Sequence, residues 1–409
     1  MRESRITVFI YLPGETVAVP AGVFAHNDDP GIGSFAYGRG YRSRDHALPV
    51  DPVALPLGPT PREVTINGGL YGAFRDAAPD HWGRLVIAAE AQAPPEALTG
   101  IDFLLATNAT RVGNLDFRAS HQDAEPALAP PGFNRLADLM QAAREIEAGG
   151  EVQPHLLQLL RQGTSMGGAR PKCTVEMDGA LWIAKFPARN DTLDIPRIEY
   201  ATMTLAERCG IETAEVRLEA VGDRSVFLAR RFDRAQCRAG WTRQGFVSAL
   251  SLMEWDEADR IRWSYPEIAA ALRRHAPAAN LQELFRRMVF NILVRNTDDH
   301  PRNHGFLAEG HELTLAPAYD IVPTLTRQGV GTEFSLAMSV GEQGRTASLD
   351  NALSRATQFG LERGHARAII EELRASARSW RDHFEESGVT GSEIDALAPS
   401  FGGADRGRP

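Results

Sequence analysis

The chain has 409 residues, of which 43% are apolar and 24% charged, values that fit a folded globular protein and exclude disorder over its whole length. Its 53 acidic and 44 basic side chains give a net charge of −9, which argues against a broad basic surface that binds nucleic acid directly. The cysteines Cys173, Cys209 and Cys237 stand singly, so we expect neither a disulfide framework nor a structural zinc site.

No stretch approaches the roughly 18–20 consecutive apolar residues that a membrane-spanning helix needs. Residues 1–13 lack the apolar core and small-residue cleavage site of a signal peptide. We therefore expect a cytoplasmic protein with no membrane partner.

The first predicted module, residues 1–118, begins with strands and continues with helices. Residues 5–11 alternate and are β-branched or aromatic, as is typical of a strand. Helices are expected over 85–93 and 101–106. A polar, Pro/Ala-rich run at 119–133 has the composition of an exposed connection and predicts a domain boundary.

The next part, residues 119–236, is predicted to be a mixed lobe. Asp178-Gly179 lies between two alternating apolar runs, which is a strong signal for a hairpin. A helix is expected to begin at Pro196, a favoured first-turn residue. The other expected elements are helices over 134–148 and 152–162 and strands over 172–177, 180–186, 214–218 and 225–232.

The third part, residues 237–387, is predicted to be mainly helical, and residues 388–409 to form a flexible tail. The apolar residues of 281–295 recur at the spacing of a helix with one buried face. Asn280 precedes them as a candidate N-cap. A hairpin is expected from the segments 305–308 and 312–315.

A candidate catalytic loop follows that helix. Asp298 and Asn303 have the spacing of a kinase loop in which the Asp orients the attacking hydroxyl and the Asn binds magnesium. The hairpin that follows returns the chain, so Asp320 is expected beside Asn303. One amide oxygen and one carboxylate, completed by water and phosphate oxygens, suit Mg²⁺.

An ATP-dependent kinase also needs positive charge and a loop at the phosphates. Lys185 closes a predicted strand and is expected to reach the α- and β-phosphates, with Glu199 on the next helix as its partner. Residues 163–172 are rich in small side chains, as in loops that approach phosphate, but they match neither a Walker A loop nor GxGxxG.

Taken singly, each of these residues also has a structural explanation. Asp298 and Asp299 are compatible with a solvated helix end, Lys185 and Glu199 with surface charges, and His300 with a loop hydrogen bond. The order of the parts favours the catalytic interpretation. A glycine-rich loop, strand Lys, helix Glu, long helix, Asp-x4-Asn, hairpin and Asp follow one another as in bilobal kinases.

Several segments together carry a specific resemblance: GTSMGGARPK, IAKFPA, RRFDR, NTDDHPRNHGF and LAPAYDI. The chain resembles the HipA family of bacterial serine/threonine kinases, which act as toxins of type II toxin–antitoxin systems. The similarity runs from the N-terminal module to about residue 380. It implies an α+β, bilobal protein-kinase-like fold with a mixed N-terminal lobe and a mainly helical C-terminal lobe.

The resemblance also implies site residues. Asp298 matches the catalytic base, and Asn303 and Asp320 match the magnesium ligands. The positions that match ATP-binding residues are Gly167, Gly168, Ala169, Arg170, Pro171, Lys172, Lys185, Arg230, Arg231, Phe232, His300, Asn303 and Asp320. Within this set, residues 230–232 match an interlobe segment that holds adenine largely through backbone groups.

Ser165 matches a loop serine that such kinases autophosphorylate. A phosphate of about −1.5 to −2 charges would not share a pocket with the phosphates of ATP, so this modification would switch the enzyme off. Two positions depart from the family pattern: Arg170 replaces a common glutamine, and Arg230 replaces a residue that is acidic in the best-known members.

The resemblance implies ATP and Mg²⁺ as cofactors, a HipB-like DNA-binding antitoxin as partner, and operator DNA bound only through that complex. It implies a protein substrate, with a translation component such as glutamyl-tRNA synthetase as the inherited expectation. Two alternatives stay open. The first is a small-molecule kinase of the aminoglycoside or sugar type, which would not need the N-terminal module. The second is a corepressor without catalysis.

Overall fold

The structure is a computed structural model that describes residues 3–126, 128–150, 152–163, 168–274, 276–309, 312–326 and 333–405. Its strands are β1 (Ser4–Ile10), β2 (Val19–Asn27), β3 (Ile32–Tyr37), β4 (Arg62–Val64), β5 (Leu115–Arg118), β6 (Lys172–Met177), β7 (Ala180–Lys185), β8 (Val216–Val221), β9 (Arg224–Arg230), β10 (Arg234–Cys237), β11 (Gly240–Arg243), β12 (Gly245–Ser248), β13 (Gly305–Glu309) and β14 (Glu312–Leu315).

Its helices are α1 (Arg39–Arg42), α2 (Gly72–Ala77), α3 (His81–Ala91), α4 (Gly100–Ala106), α5 (Leu136–Glu147), α6 (Pro154–Gly163), α7 (Ile195–Arg208), α8 (Ala249–Leu252), α9 (Tyr265–Leu272), α10 (Ala278–Leu293), α11 (Leu349–Ser354), α12 (Arg363–Ala377), α13 (Trp380–Glu386), α14 (Gly391–Leu397) and α15 (Gly402–Asp405). No helix in the described part of the chain combines the length and apolarity that a membrane span requires.

The strands form four sheets. A 5-stranded sheet has the order β4-β3-β2-β1-β5, a 4-stranded sheet β6-β7-β9-β8, a 3-stranded sheet β12-β13-β14 and a 2-stranded sheet β10-β11. The strands predicted at 5–11, 172–177, 180–186 and 225–232, and the hairpin predicted at 305–308 and 312–315, are confirmed within one to three residues at each end.

The first sheet is antiparallel throughout its described pairs. β1 lies between β2 and β5, with Thr7 opposite Val23 on one side and Arg118 on the other. Ile6 and Val8 are buried in a core shared with Phe24. This alternation of faces follows from the period of two in an extended chain.

The hairpin β6–β7 turns at Asp178 and Gly179, which have φ values of 52° and 69°. Positive φ at both turn residues is the requirement of a type I′ turn, which explains why the Asp-Gly pair is a reliable signal here. Val175 lies opposite Trp182, and both pack in a core cluster with α5 and α6. Both helices match their predicted ranges within two residues.

The chain divides into two compact units. The first comprises Met1–Asn190, Ala220–Glu254 and Leu307–His311, and the second Asp191–Glu219, Trp255–Phe306 and Glu312–Pro409. The first unit contains the strands β1 to β7 together with α1 to α6, and the second contains α7 and the helices from α9 onward. The predicted boundaries at residues 118 and 236 do not coincide with these limits and stay predictions.

The N-cap predicted for the long helix is wrong. α10 begins at Ala278, and Pro277 is its N-cap residue. The side-chain oxygen of Asn280 instead accepts a hydrogen bond from the Leu315 N–H at 2.8 Å. A tertiary hydrogen bond to a strand thus replaces the local cap that the sequence suggested.

The flexible tail predicted for residues 388–409 is also wrong over residues 388–405. This segment contains α14 and α15, and Val389, Ile394 and Leu397 are buried. The ring of Phe401 stacks on that of Trp380 with centroids 4.0 Å apart. The prediction relied on the glycine- and serine-rich composition and overlooked a few apolar residues at helical spacing. These residues suffice to pack the segment.

Candidate active site

The end of α10 directs the chain into the candidate catalytic loop. Its apolar stripe is buried, including Leu284, Phe285 and Met288. After the helix, Arg295 adopts a φ of 56°, in the left-handed region that non-glycine residues seldom occupy. The Asn296 N–H then donates to the Asn291 carbonyl at 2.9 Å. This sharp turn ends the helix and starts the loop at a defined position.

The loop places Asp298 and Asn303 on one tight turn. The carbonyl of Asp298 accepts from the His300 N–H at 2.8 Å and from the Asn303 side-chain Nδ2 at 3.4 Å. The Asn303 N–H donates to the His300 carbonyl at 2.9 Å. The carboxylate of Asp298 is exposed, whereas Asn303 is buried. The oxygen of the Asn303 amide is the atom of this side chain that can bind a hard cation.

A buried pair beneath this turn was missed by the sequence reasoning. His304 and Asp299 are 2% and 3% exposed, and Nε2 of His304 lies 3.1 Å from both carboxylate oxygens of Asp299. The ring of Tyr265 meets the His304 ring edge to face at 5.3 Å. Asp299 is therefore a structural residue, and the adjacent Asp298 is the one presented to solvent. The sequence signal that could have indicated this pair is an Asp and a His five residues apart around a turn.

The segment that contains Asp320 returns to the loop. The Tyr319 hydroxyl donates to the Arg302 carbonyl at 2.7 Å, and the Ala316 N–H donates to the Gly305 carbonyl at 2.8 Å. Asp320 follows with a φ of 62°. Tyr319 and Arg302 are the chain neighbours of Asp320 and Asn303, so the two expected metal ligands lie on contacting segments. Their oxygen atoms have the chemistry that Mg²⁺ prefers.

The other end of the loop is held by Thr324. Its hydroxyl accepts from the Thr297 N–H at 3.1 Å, and its N–H donates to the Arg295 carbonyl at 3.0 Å. The carbonyl of Thr324 in turn accepts from the Ser400 hydroxyl at 2.6 Å. The C-terminal segment therefore supports the loop that carries Asp298.

In the first unit, two lysines face each other across the hairpin β6–β7. Lys172 lies opposite Lys185, and they are 7% and 8% exposed. Directly opposed residues of an antiparallel pair point to the same face, so both lysine side chains lie on one face of the hairpin. The pattern thus fits the phosphate-binding role expected for both residues.

Of the predicted phosphate loop, Gly168 onward is described, and Ser165 and Gly167 lie outside the described residues. Gly168 has a φ of +111°, and a Cβ there would lie 2.2 Å from Nζ of Lys172. The positive φ favours glycine at this position. Ala169 is exposed, and the Pro171 carbonyl accepts from the Phe186 N–H at 2.9 Å. Arg170 is half-buried.

The segment Arg230 to Phe232 is anchored by its middle residue. Arg231 is 3% exposed and donates to the carbonyls of Thr110 and Arg111 and to the carboxylate of Asp233. Its side chain is therefore occupied within the fold, and the backbone and the half-buried Phe232 are the groups left for a nucleotide. Arg230 is exposed at the end of β9, opposite Trp182.

Asp233 is the centre of a buried ion cluster behind this segment. Its carboxylate accepts from Arg231 and Arg234 at 2.8 Å each and from the Gly113 N–H at 2.9 Å. Burial alone would raise the pKa of Asp233, but the two guanidinium groups outweigh burial and hold that pKa well below its usual range. The segment is thus held to residues 110–113 by charge-assisted hydrogen bonds.

The predicted residues fall into two sets. Asp298, Asn303, His300 and Asp320 belong to the second unit, as does Glu199, which is 2% exposed on α7. Lys172, Lys185 and the segment from Arg230 belong to the first unit. The pairing of Lys185 with Glu199, and the meeting of the two sets around one ATP molecule, stay predictions. In the described residues no three or more His, Cys, Asp and Glu side chains form a metal cluster.

Comparisons with known proteins identify a family for this chain. The HipA-like C-terminal domain family matches residues 164–380. A protein of Sinorhizobium fredii named putative kinase Y4dM is 25% identical over 244 residues, which cover 55% of this chain and 58% of that protein. A putative kinase of Haemophilus influenzae is 27% identical over 184 residues, 40% of this chain and 53% of that protein. The chain thus spans somewhat more than half the length of these two relatives.

A solved structure extends the likeness over nearly the whole chain. The complex of HipA, HipB and operator DNA from Shewanella oneidensis MR-1 contains a chain with a TM-score of 0.69 and 16% identity, and the match covers 97% of both chains. This confirms the predicted α+β, HipA-like fold. The family match covers more than half of the chain and includes the loop, the hairpin lysines and Asp320. The chain therefore belongs to the family of proteins with a HipA-like C-terminal domain.

Proposed function

We propose that the chain is an ATP- and magnesium-dependent serine/threonine protein kinase that acts as the toxin of a type II toxin–antitoxin system. The observation that carries the proposal is the exposed carboxylate of Asp298 on a turn fixed by the buried Asp299–His304 pair. A carboxylate held rigidly while its own oxygens face solvent is preorganised to receive a substrate hydroxyl. Family membership and relatives named putative kinases support the same reaction class.

In the proposed reaction Asp298 orients the hydroxyl of a protein Ser or Thr. It accepts the hydroxyl proton as the oxygen bonds to the γ-phosphorus and the bond to ADP breaks. Positioning and electrostatics supply most of the catalysis in phosphoryl transfer.

Asn303 and Asp320 would hold the magnesium ion, which when bound neutralises charge on the phosphates. The register of the hairpin supports this assignment, because it places Lys172 and Lys185 on one face of the sheet. In the proposed complex Glu199 fixes Lys185, and adenine lies against the backbone of residues 230–232. His300 lines the same site.

A HipB-like DNA-binding antitoxin is the proposed partner. The Shewanella oneidensis structure contains HipA together with HipB and operator DNA, and the shared fold supports a similar assembly here. With a net charge of −9, the chain would contact DNA through a basic partner rather than by itself. The proposed substrate is a component of translation.

Autophosphorylation of Ser165 is the proposed off switch. Its support is chemical: a phosphoserine in the predicted phosphate loop would compete with the phosphates of ATP for the same positive charge.

The substrate class can be tested directly. The purified chain is incubated with Mg²⁺ and γ-labelled ATP in a cell extract, and the label is separated into proteins and small molecules. We expect the label on a few proteins. Transfer to small molecules would favour a kinase of the aminoglycoside or sugar type, and no transfer under any condition would favour a corepressor without catalysis.

A further inference from the structure

The N-terminal end of α3 contacts both ends of the described part of the phosphate loop. We propose that Asp80 and Trp82 are positioning residues, which hold Gly168 and Lys172 in the conformation that receives the phosphates of ATP. This inference rests on the proposed function, because it assigns supporting residues to the nucleotide site. Asp80 and Trp82 belong to the N-terminal module, so this module would contribute supporting residues to the nucleotide site.

The peptide groups of Gly168 are bound on both sides by α3. Its N–H donates to Oδ2 of Asp80 at 2.7 Å, and its carbonyl accepts from the Trp82 N–H at 3.2 Å. Gly168 has a φ of +111°, a conformation that costs an ordinary residue free energy and that a flexible loop would not keep by itself. The two hydrogen bonds therefore select this conformation.

The side chain of Asp80 serves the loop rather than its own helix. Asp80 is the N-cap residue of α3, yet it makes no side-chain capping hydrogen bond. An N-cap aspartate normally accepts from a backbone N–H of the first helical turn. Here the carboxylate is directed to Gly168, and the N–H of Trp82 in that first turn donates to Gly168 as well. The helix end is thus adapted to the loop.

Trp82 also holds the far end of the segment. Its indole Nε1 donates to the Lys172 carbonyl at 2.8 Å, and its ring is 1% exposed within a core cluster. A buried indole with a fixed rotamer is a rigid support. Trp82 therefore fixes the backbone from which the Lys172 side chain extends toward Gly168.

The consequence concerns affinity for the phosphates in particular. Groups that are held in place before binding lose less entropy when the ligand arrives. The contacts of Asp80 and Trp82 are made to residues 168–172, not to the segment from Arg230 that is proposed to hold adenine. Loss of these contacts is therefore expected to weaken binding of ATP and to leave binding of adenosine unchanged.

The test compares the full-length variants Asp80→Ala, Asp80→Asn and Trp82→Phe with the wild type. His81→Ala is the matched control, because His81 is the exposed residue between them. Dissociation constants for ATP and adenosine are measured by calorimetry, and KM and kcat by phosphate transfer. We expect about tenfold weaker ATP binding and higher KM for Asp80→Ala and Trp82→Phe, with kcat changed less than about twofold.

Asp80→Asn keeps an acceptor oxygen and is expected to retain most of the ATP affinity, and His81→Ala all of it. Unchanged ATP affinity in folded Asp80→Ala and Trp82→Phe would overturn the positioning role. An equal loss of ATP and adenosine binding would also overturn it, because general destabilisation affects both ligands. If the wild type itself bound no ATP, the proposed function would fail instead. The urea midpoint of Trp82→Phe shows whether this variant folds. If Trp82→Phe is unfolded, the result for Asp80→Ala alone decides the test.

Discussion

At the scale of single residues, neighbours in sequence differ sharply in burial. Asp298 is exposed, whereas Asp299 is buried against His304. Arg230 is exposed, whereas Arg231 is used by the fold. In each pair the buried residue fixes the backbone on which the exposed one stands. Alternate side chains along an extended segment or tight turn point in opposite directions, which makes this division possible.

The variant Asp233→Asn tests how much the buried ion cluster contributes to stability. The variant keeps the shape but leaves Arg231 and Arg234 without a compensating charge. Breaking a buried ion pair in this way is expected to lower the free energy of unfolding by about 3–5 kcal/mol at pH 7, as measured by urea unfolding.

The pH dependence of this loss in the free energy of unfolding provides the control. The pKa of Asp233 is lowered in the folded state, so its contribution is present above the unfolded value of about 3.9 and is lost as pH falls below it. The free energy of unfolding of the wild type exceeds that of Asp233→Asn, and this excess is expected to shrink by about 1.4 kcal/mol for each pH unit below about 4. A difference that stays constant between pH 7 and pH 3 would contradict this account.

At the scale of elements, the best predicted parts are those whose pattern is local. The turn at Asp178-Gly179 requires positive φ at both residues, and the stripe on α10 repeats over several turns, so each pattern indicates one structure. The contacts of Asn280, Asp80 and Arg231 were not predicted. Their partners lie 35, 88 and 120 residues away in the chain, and no local pattern encodes such a pairing.

The C-terminal helices provide a second test of stability. Phe401 is fully buried, with its ring stacked on Trp380 and edge to face with Phe384. Phe401→Ala is expected to lower the free energy of unfolding by about 3–5 kcal/mol, because it leaves a cavity among aromatic rings.

The matched control is Asp395→Ala, since the side chain of Asp395 is 85% exposed on α14. Its urea midpoint is expected to equal that of the wild type. An unchanged midpoint for Phe401→Ala as well would mean that residues 388–405 do not pack in solution, as the composition alone suggested.

At the scale of the whole molecule, the order of motifs was enough to predict the family and the kind of fold. Each signal is weak alone, but the sequence from the glycine-rich loop to Asp320 is specific. The order of the motifs does not reveal which buried residues support them. Asp299 and His304 support the catalytic loop, and Trp82 supports Lys172. Support of this kind depends on packing between distant segments, so it is visible only in three dimensions.

The central proposal is that Asp298 orients the serine or threonine hydroxyl that receives phosphate from ATP and accepts its proton. Its most direct test is mass spectrometry of Ser165 after incubation of the purified chain with ATP and Mg²⁺, for wild type and Asp298→Asn. Asp223→Asn is the control, because the side chain of Asp223 is 89% exposed.

We predict phosphate on Ser165 in the wild type and in Asp223→Asn, and a rate reduced by about 100-fold or more in a folded Asp298→Asn variant. Phosphorylation of Ser165 at the wild-type rate in Asp298→Asn would contradict the assignment of the catalytic residue.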